Sequence, residues 1–185
     1  MSAAHTHTAR ESLQQHFPVS AQTSDGVPYR IRPLRPDDAD RERDFIHRLS
    51  PTSRYQRFMH SMREPADSLI ERLVSNEYPR SLALAAVIDE HDSERIVGVA
   101  RYSADDDREC EFAVAVADDW QCRGIATTLV PLLFECAARA GFETVYGTVL
   151  AANQRMIELA QWLGLTVDAA RPGETTVRAW RLLRR

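Results

Sequence analysis

Apolar and polar positions alternate in "YRIRPLR" (29–35), with Tyr29, Ile31 and Pro33 on one side and arginines on the other. A period of two predicts a strand, and its proline and charges predict an edge position. Pro36-Asp37-Asp38 then opens a helix, where proline suits the first turn and acids suit the dipole; Phe45, Ile46 and Leu49 give it an apolar face. Two further helical stretches follow at 50–58 and 66–75. The continuous apolar run 80–89, the polar turn "DEHDS" and the returning run 95–103 predict a hairpin, and "ADDDR" (104–108) leads to a third strand at 109–117. Beyond it the spacing is helical: 123–141 places Leu129, Leu132, Leu133, Cys136, Ala137 and Ala140 on one face, with Gly141 as its stop and a kink expected at Pro131. A strand at 144–151 and a helix at 153–164, with Met156, Ile157, Ala160 and Leu163 inward, come next. Two closing strands, 165–171 and 175–183, meet at Pro172-Gly173. The succession predicts an α/β (α+β) fold, a mixed sheet with helices packed on it.

The 185 residues favour one domain, 28–185, after a flexible tail over 1–27 with one short helix around Arg10 to His16. "SDGVP" (24–28) reads as the turn before that domain. A formal net charge of −4 excludes a basic footprint spread over the whole surface, so no nucleic-acid partner is expected. No stretch reaches the ~18 apolar residues of a membrane span, and the polar N-terminus has no signal-peptide core. A cytoplasmic protein without a membrane partner is the expectation. Cys110, Cys122 and Cys136 lack CxxC or zinc spacing and read as reduced thiols; His5 and His7 read as solvated tail, so no metal is expected. All 23 basic residues are arginine, which reflects either codon usage or a chain that cannot modify its own lysines.

"DDWQCRGIATTLV" (118–130) follows a buried strand and enters a helix. A helix N-terminus presents unpaired N–H groups and partial positive charge, and the small residues Gly124 and Ala126 let a ligand approach the backbone. Gln121 and Arg123 could brace the loop or reach a phosphate, and Thr127 and Thr128 add hydroxyls. A plain strand-to-helix turn explains the same spacing. The run is neither a P-loop, since lysine is absent, nor the G-x-G-x-x-G dinucleotide fingerprint.

"QCRGIA" (121–126) resembles the Q/R-x-x-G-x-G/A signature of the GNAT N-acetyltransferase family. The strand "VAVA" before it, "NQRMIELAQWLGL" (153–165) after it and the "YRIRPLRPDDA" start extend the similarity over roughly residues 29 to 183. Within that family, "LSPTSRYQRFM" (49–59) and "CEFAVAVADDWQ" (110–121) look most like the GNAT domains of bacterial protein lysine acetyltransferases, which modify acyl-CoA synthetases. The resemblance implies a twisted, mostly antiparallel sheet of six to seven strands with helices on both faces. It also implies acetyl-CoA as co-substrate and direct attack of an amine on the thioester. The amine belongs to a protein lysine, as on an acyl-CoA synthetase, or to a small molecule. A non-catalytic acyl-CoA-binding regulator is the remaining reading, and a homodimer stays open.

The implied roles fall on named positions. The loop Gln121, Cys122, Arg123, Gly124, Ile125, Ala126 and Thr127 would hold the pyrophosphate, and the backbone of Val114, Ala115 and Val116 would pair with the pantetheine amides. Asn153 would bond the pantetheine arm, or simply cap its helix. Glu111 is the candidate general base, with a pKa that enclosure beside Phe112 and Ala113 would raise; Glu109 is its nearest competitor. The family tyrosine that protonates the thiolate is replaced by Ala160, and Tyr146 is the nearest other phenol. Cys122, at a helix N-terminus, is a candidate oxidation-sensitive thiol. Arg54 and Arg57 contact an acidic substrate segment or lie on a solvated helix face; Trp120 and Trp162 read as packing residues.

Overall fold

The computed structural model describes residues 15–91 and 93–183. Its elements are β1 (Val19–Gln22), β2 (Pro28–Pro33), a 3-10 turn at Pro36–Asp38, α1 (Ala39–Arg48), α2 (Pro51–Phe58) and α3 (Asp67–Val74). There follow β3 (Ser81–Glu90), β4 (Ser93–Ala104), β5 (Glu109–Val116), α4 (Ile125–Ala140), β6 (Thr144–Leu150), α5 (Gln154–Trp162), β7 (Thr166–Val167) and β8 (Thr176–Leu182). One sheet carries the strands in the order β1-β2-β3-β4-β5-β6-β8-β7. Every neighbouring pair is antiparallel except β5 and β6.

The sheet has eight strands where six to seven are expected, and the addition is β1. It lies inside the segment expected as a flexible tail. Val19 to Gln22 pair with Ile31 to Pro28, so "SDGVP" is the turn of a hairpin, closed by Thr23 N–H donating to Val27 at 2.9 Å. β2 is therefore flanked on both sides rather than at the edge. Residues 10–14 of the expected short helix, and His5 and His7, lie outside the described residues.

The hydrophobic pattern explains the layers. β3 is apolar on both faces because it is covered on both: Leu82 to Val87 are all at most 1% exposed. On one side Leu82, Leu84, Tyr102 and Phe112 pack under α4 and α5, with Leu129, Leu133, Phe134 and Ala160. On the other, Ala83, Ala85, Val87 and Val99 meet Phe45, Ile46, Ile70 and Leu73 of α1 and α3. α4 runs unbroken through Pro131 and ends at Gly141, whose φ of 102° is a left-handed cap.

Two carboxylates are buried at the start of α1. Asp38 (1% exposed) takes both Arg32 guanidinium nitrogens at 2.7 and 2.8 Å, the Arg35 N–H at 2.9 Å and Arg41 at 3.1 Å. Burial alone would raise its pKa, but these donors hold it below the ordinary aspartate value. Glu42 (3% exposed) makes no hydrogen bond or ion pair among the described residues, and its Oε2 is buried without a partner. Burial pushes it up to about 7, against the opposing pull of Arg57 and Arg101.

Candidate active site

β5 and β6 run side by side only through Glu109, Cys110 and Glu111, which pair with Thr144, Val145 and Tyr146. Each strand then continues, β5 to Val116 and β6 to Leu150, without pairing to the other. The divergence begins at Phe112 and Gly147. A Cβ on Gly147 would stand 2.8 Å from the Phe112 ring and 3.1 Å from its carbonyl oxygen, so this crossing needs a residue without one. The gap opens a cleft of about 550 Å³ lined by both separated strand ends, by the loop before α4, by Asn153, Met156 and Leu159 of α5, and by α2.

The loop supplies donors to this cleft. The backbone N–H groups of Cys122 through Thr127 make no hydrogen bond among the described residues. Cys122, Gly124, Ile125, Ala126 and Thr127 line the cleft. Cys122 and Gly124 both take left-handed conformations, with φ of 60° and 86°, which turn successive amides the same way before the helix begins. Gly124 tolerates this because it has no side chain. Aligned free amides at the start of a sixteen-residue helix form a fitting seat for a diphosphate.

The side chains of the loop brace it. Gln121 donates to Val116 O at 3.1 Å and to Ser53 Oγ at 3.4 Å. Arg123 lies over Trp120 at 5.0 Å and reaches Asp25 at 3.3 Å, while its carbonyl accepts the Ser24 N–H at 3.0 Å. Of the two roles considered for Gln121 and Arg123, bracing is the one their contacts describe. Thr127 and Thr128 hydroxyls both donate to Gly124 O, at 2.8 and 3.2 Å. Asp118 ties the loop to α2 by accepting from Ser50 N–H, Ser50 Oγ and Ser53 Oγ at 2.8–2.9 Å. Burial opposes its charge, but these donors hold its pKa below the usual range.

Glu111 stands on the last paired rung and is exposed, not enclosed by the apolar side chains beside it. Its Oε1 accepts from Thr148 Oγ1 at 2.9 Å, and Thr148 lines the cleft. Glu109 is paired with Arg178 at 2.7 Å, whereas Glu111 makes no ion pair among the described residues. Tyr146 shares Glu111's rung, with Arg178 over its ring at 4.3 Å; burial and nearby Glu111 and Asp105 push its phenol up to about 12. Ala160 is fully buried beneath the sheet, so that position supplies nothing to the cleft. Asn153 caps α5 by accepting the Met156 N–H at 3.2 Å while also lining the cleft.

Other expectations resolve unevenly. Arg54 is committed to the carbonyls of His47, Leu49, Met62 and Arg63 and does not line the cleft; Arg57 does. Trp120 is packed against both cores, but Trp162 is 69% exposed, contrary to the packing role expected. Cys110 and Cys136 are buried free thiols raised by that burial, and Cys122 is exposed. The roles of Ser50, Ser53, Asp118 and Thr148 carry no local signal, because their partners are distant in sequence.

Residues 29–166 match the family model described as an acetyltransferase (GNAT) domain. The chain belongs to the GNAT acetyltransferase family. An acetyltransferase of Pseudomonas aeruginosa is 39% identical over 153 residues, 82% of each chain. Acetyltransferase Pat of Mycolicibacterium smegmatis is 28% identical over 159 residues; these cover 84% of this GNAT chain but only 47% of Pat. Among solved structures, the GNAT domain of S. lividans PAT superposes with a TM-score of 0.83 at 26% identity, over 91% of this chain and 98% of that one. The GNAT assignment makes the protein an N-acetyltransferase with the expected mixed α/β architecture. No helix among the described residues is long and apolar enough to cross a membrane, and they contain no group of three or more metal-ligating side chains.

Proposed function

We propose that the protein transfers an acetyl group from acetyl-CoA to a primary amine, with a protein lysine as acceptor. The observation that carries the donor half is the run of unbonded amides from Cys122 to Thr127 at the open end of the strand gap, beyond Val116. These amides would hold the pyrophosphate, and the unpaired edge of Val114 to Val116 would align the pantetheine arm as an added strand. Asn153, whose amide nitrogen makes no hydrogen bond among the described residues, would steady that arm. When bound, acetyl-CoA supplies the activated acyl group. The solved structure of a Salmonella typhimurium protein holds acetyl-CoA as its cofactor; at 16% identity and a TM-score of 0.64 it supports the fold of the seat.

Glu111 would take the proton from the attacking ammonium. Support comes from its place on the rung where the strands part and from Thr148, which orients one carboxylate oxygen. Exposure leaves the carboxylate in contact with solvent, so it can pass the proton on. The lysine acceptor is supported by the similarity to the GNAT domains of bacterial protein lysine acetyltransferases. The open face beside Tyr55 (45% exposed) and Met59 (36% exposed) also leaves room for a protein surface.

Thiol release from acetyl-CoA with lysine peptides tests the reading. Glu111→Gln is expected to lower turnover near neutral pH by about a hundredfold. Unchanged turnover would remove Glu111 from the role. Gly124→Glu is expected to abolish CoA binding in calorimetry while the thermal unfolding transition persists; retained affinity would dismiss the seat.

A further inference from the structure

Arg57 is a cation without a partner at the wall of the cleft. It makes no hydrogen bond or ion pair among the described residues. The Phe58 ring lies 4.8 Å from its guanidinium carbon. The groups that act on it electrostatically are Arg101, Glu42 and Glu111, and burial with the repulsion from Arg101 draws its pKa down to about 10. None of its nitrogens is sealed from solvent, as Arg54 Nε is, and the residue lines the cleft. A half-buried guanidinium without an acceptor is unfavourable, and a planar carboxylate is the ligand that satisfies its geometry.

Position decides which ligand that is. The N-terminal end of α2 is fastened to the loop side, through Ser50 and Ser53 to Asp118 and Gln121. Arg57 lies one helical turn further along, about 6 Å from Ser53, at the end that senses Glu111. The amide seat is at the other end. An anion at Arg57 therefore belongs beside the reacting amine, not beside the diphosphate.

We propose that Arg57 selects the acceptor: its guanidinium receives a carboxylate that the acceptor carries close to the amine to be acetylated. This rests on the acetyl-transfer reading above. The carboxylate comes from an acidic residue flanking a target lysine or from the α-carboxylate of a free amino acid.

Thiol release is compared for wild type, Arg57→Gln and Arg57→Lys with two pairs of acceptors. One pair is a lysine peptide flanked by aspartate and the same peptide flanked by asparagine. The other is an amino acid and its decarboxylated amine. Wild type is expected to favour the carboxylated member of one pair by about tenfold or more in kcat/KM, with Arg57→Gln bringing that ratio near one and Arg57→Lys, which keeps charge but loses the fork, falling between. CoA affinity by calorimetry is expected to be the same in all three. No preference in wild type, or a preference unchanged in both variants, overturns the assignment. A loss of CoA affinity in Arg57→Gln places Arg57 on the donor and also overturns it. Peptides acetylated without regard to charge keep the lysine reading and remove the role of Arg57. Peptides refused while the amino acid is preferred through Arg57 remove the lysine reading and keep the role.

Discussion

Asp38 and Glu42 sit one helical turn apart, both nearly inaccessible, yet they occupy opposite situations. Asp38 is met by Arg32 on both oxygens, with Arg35 and Arg41 adding donors, and its charge is stabilised. Glu42 faces cations that lie too far away to bond it, and its charge is penalised. The same residue class at the same depth is thus a fastening in one case and an open obligation in the other. Hydrogen-bond geometry makes the difference, not proximity to positive charge.

Asp38→Asn should have the largest effect. It removes the more buried of the two carboxylates that meet Arg32, leaving only the partly exposed Glu94 as counter-ion, a loss of about 3 kcal/mol. Equilibrium denaturation at neutral pH measures it, and a loss below about 1 kcal/mol would erase the contrast. The lowered folded pKa of Asp38 means that its contribution is present above the unfolded value and lost as pH falls through the folded one. The variant should therefore lose part of the wild type's acid-side decline.

Glu42→Gln should come next, with the opposite sign of pH dependence. The folded pKa of about 7 lies above the ordinary 4.5, so the contribution is full below about 4.5 and is lost as pH rises through 7. Glutamine, neutral throughout, should stabilise the protein at pH 8 by up to about 3 kcal/mol and change it little at pH 4.5. Equal unfolding midpoints for both proteins at pH 8 would show that Glu42 is satisfied after all.

The smallest effect sharpens the contrast most. A double-mutant cycle of Glu42→Gln with Arg57→Gln should give a coupling under about 1 kcal/mol, because no ion pair joins them. The same cycle between Asp38→Asn and Arg32→Met should exceed it severalfold.

The local pattern revealed most of the elements. Helices with glycine stops and the continuous apolar run of β3 announce themselves within a dozen residues. β1 escaped because "VSAQ" offers only two weakly apolar positions, and its identity as a strand comes from pairing with β2. The site was legible where its signal is a backbone loop, as at Gly124 and its neighbours. It was not legible where function depends on distant partners. Thr148 meets Glu111 across 37 positions, and Asp118 meets Ser50 across 68. Nothing local separates Arg54, spent on carbonyls, from Arg57 three residues later, which makes no hydrogen bond or ion pair among the described residues. The exposure of Glu111 is hidden from the sequence for a related reason: apolar neighbours along a strand point to the opposite face or past the sheet's covered part.

The hairpin at the start of the described chain has a mechanical consequence. Its turn holds the cradle loop at two points, Ser24 on the Arg123 carbonyl and Asp25 on the Arg123 guanidinium. β1 is otherwise held by its short ladder to β2 and by Val19 and Ala21, which pack against the core under α4. A load applied ahead of Val19, from a fusion partner or an anchored surface, would reach the donor seat through this turn as well as the core that β1 covers. The edge strand is in that sense a handle on the loop.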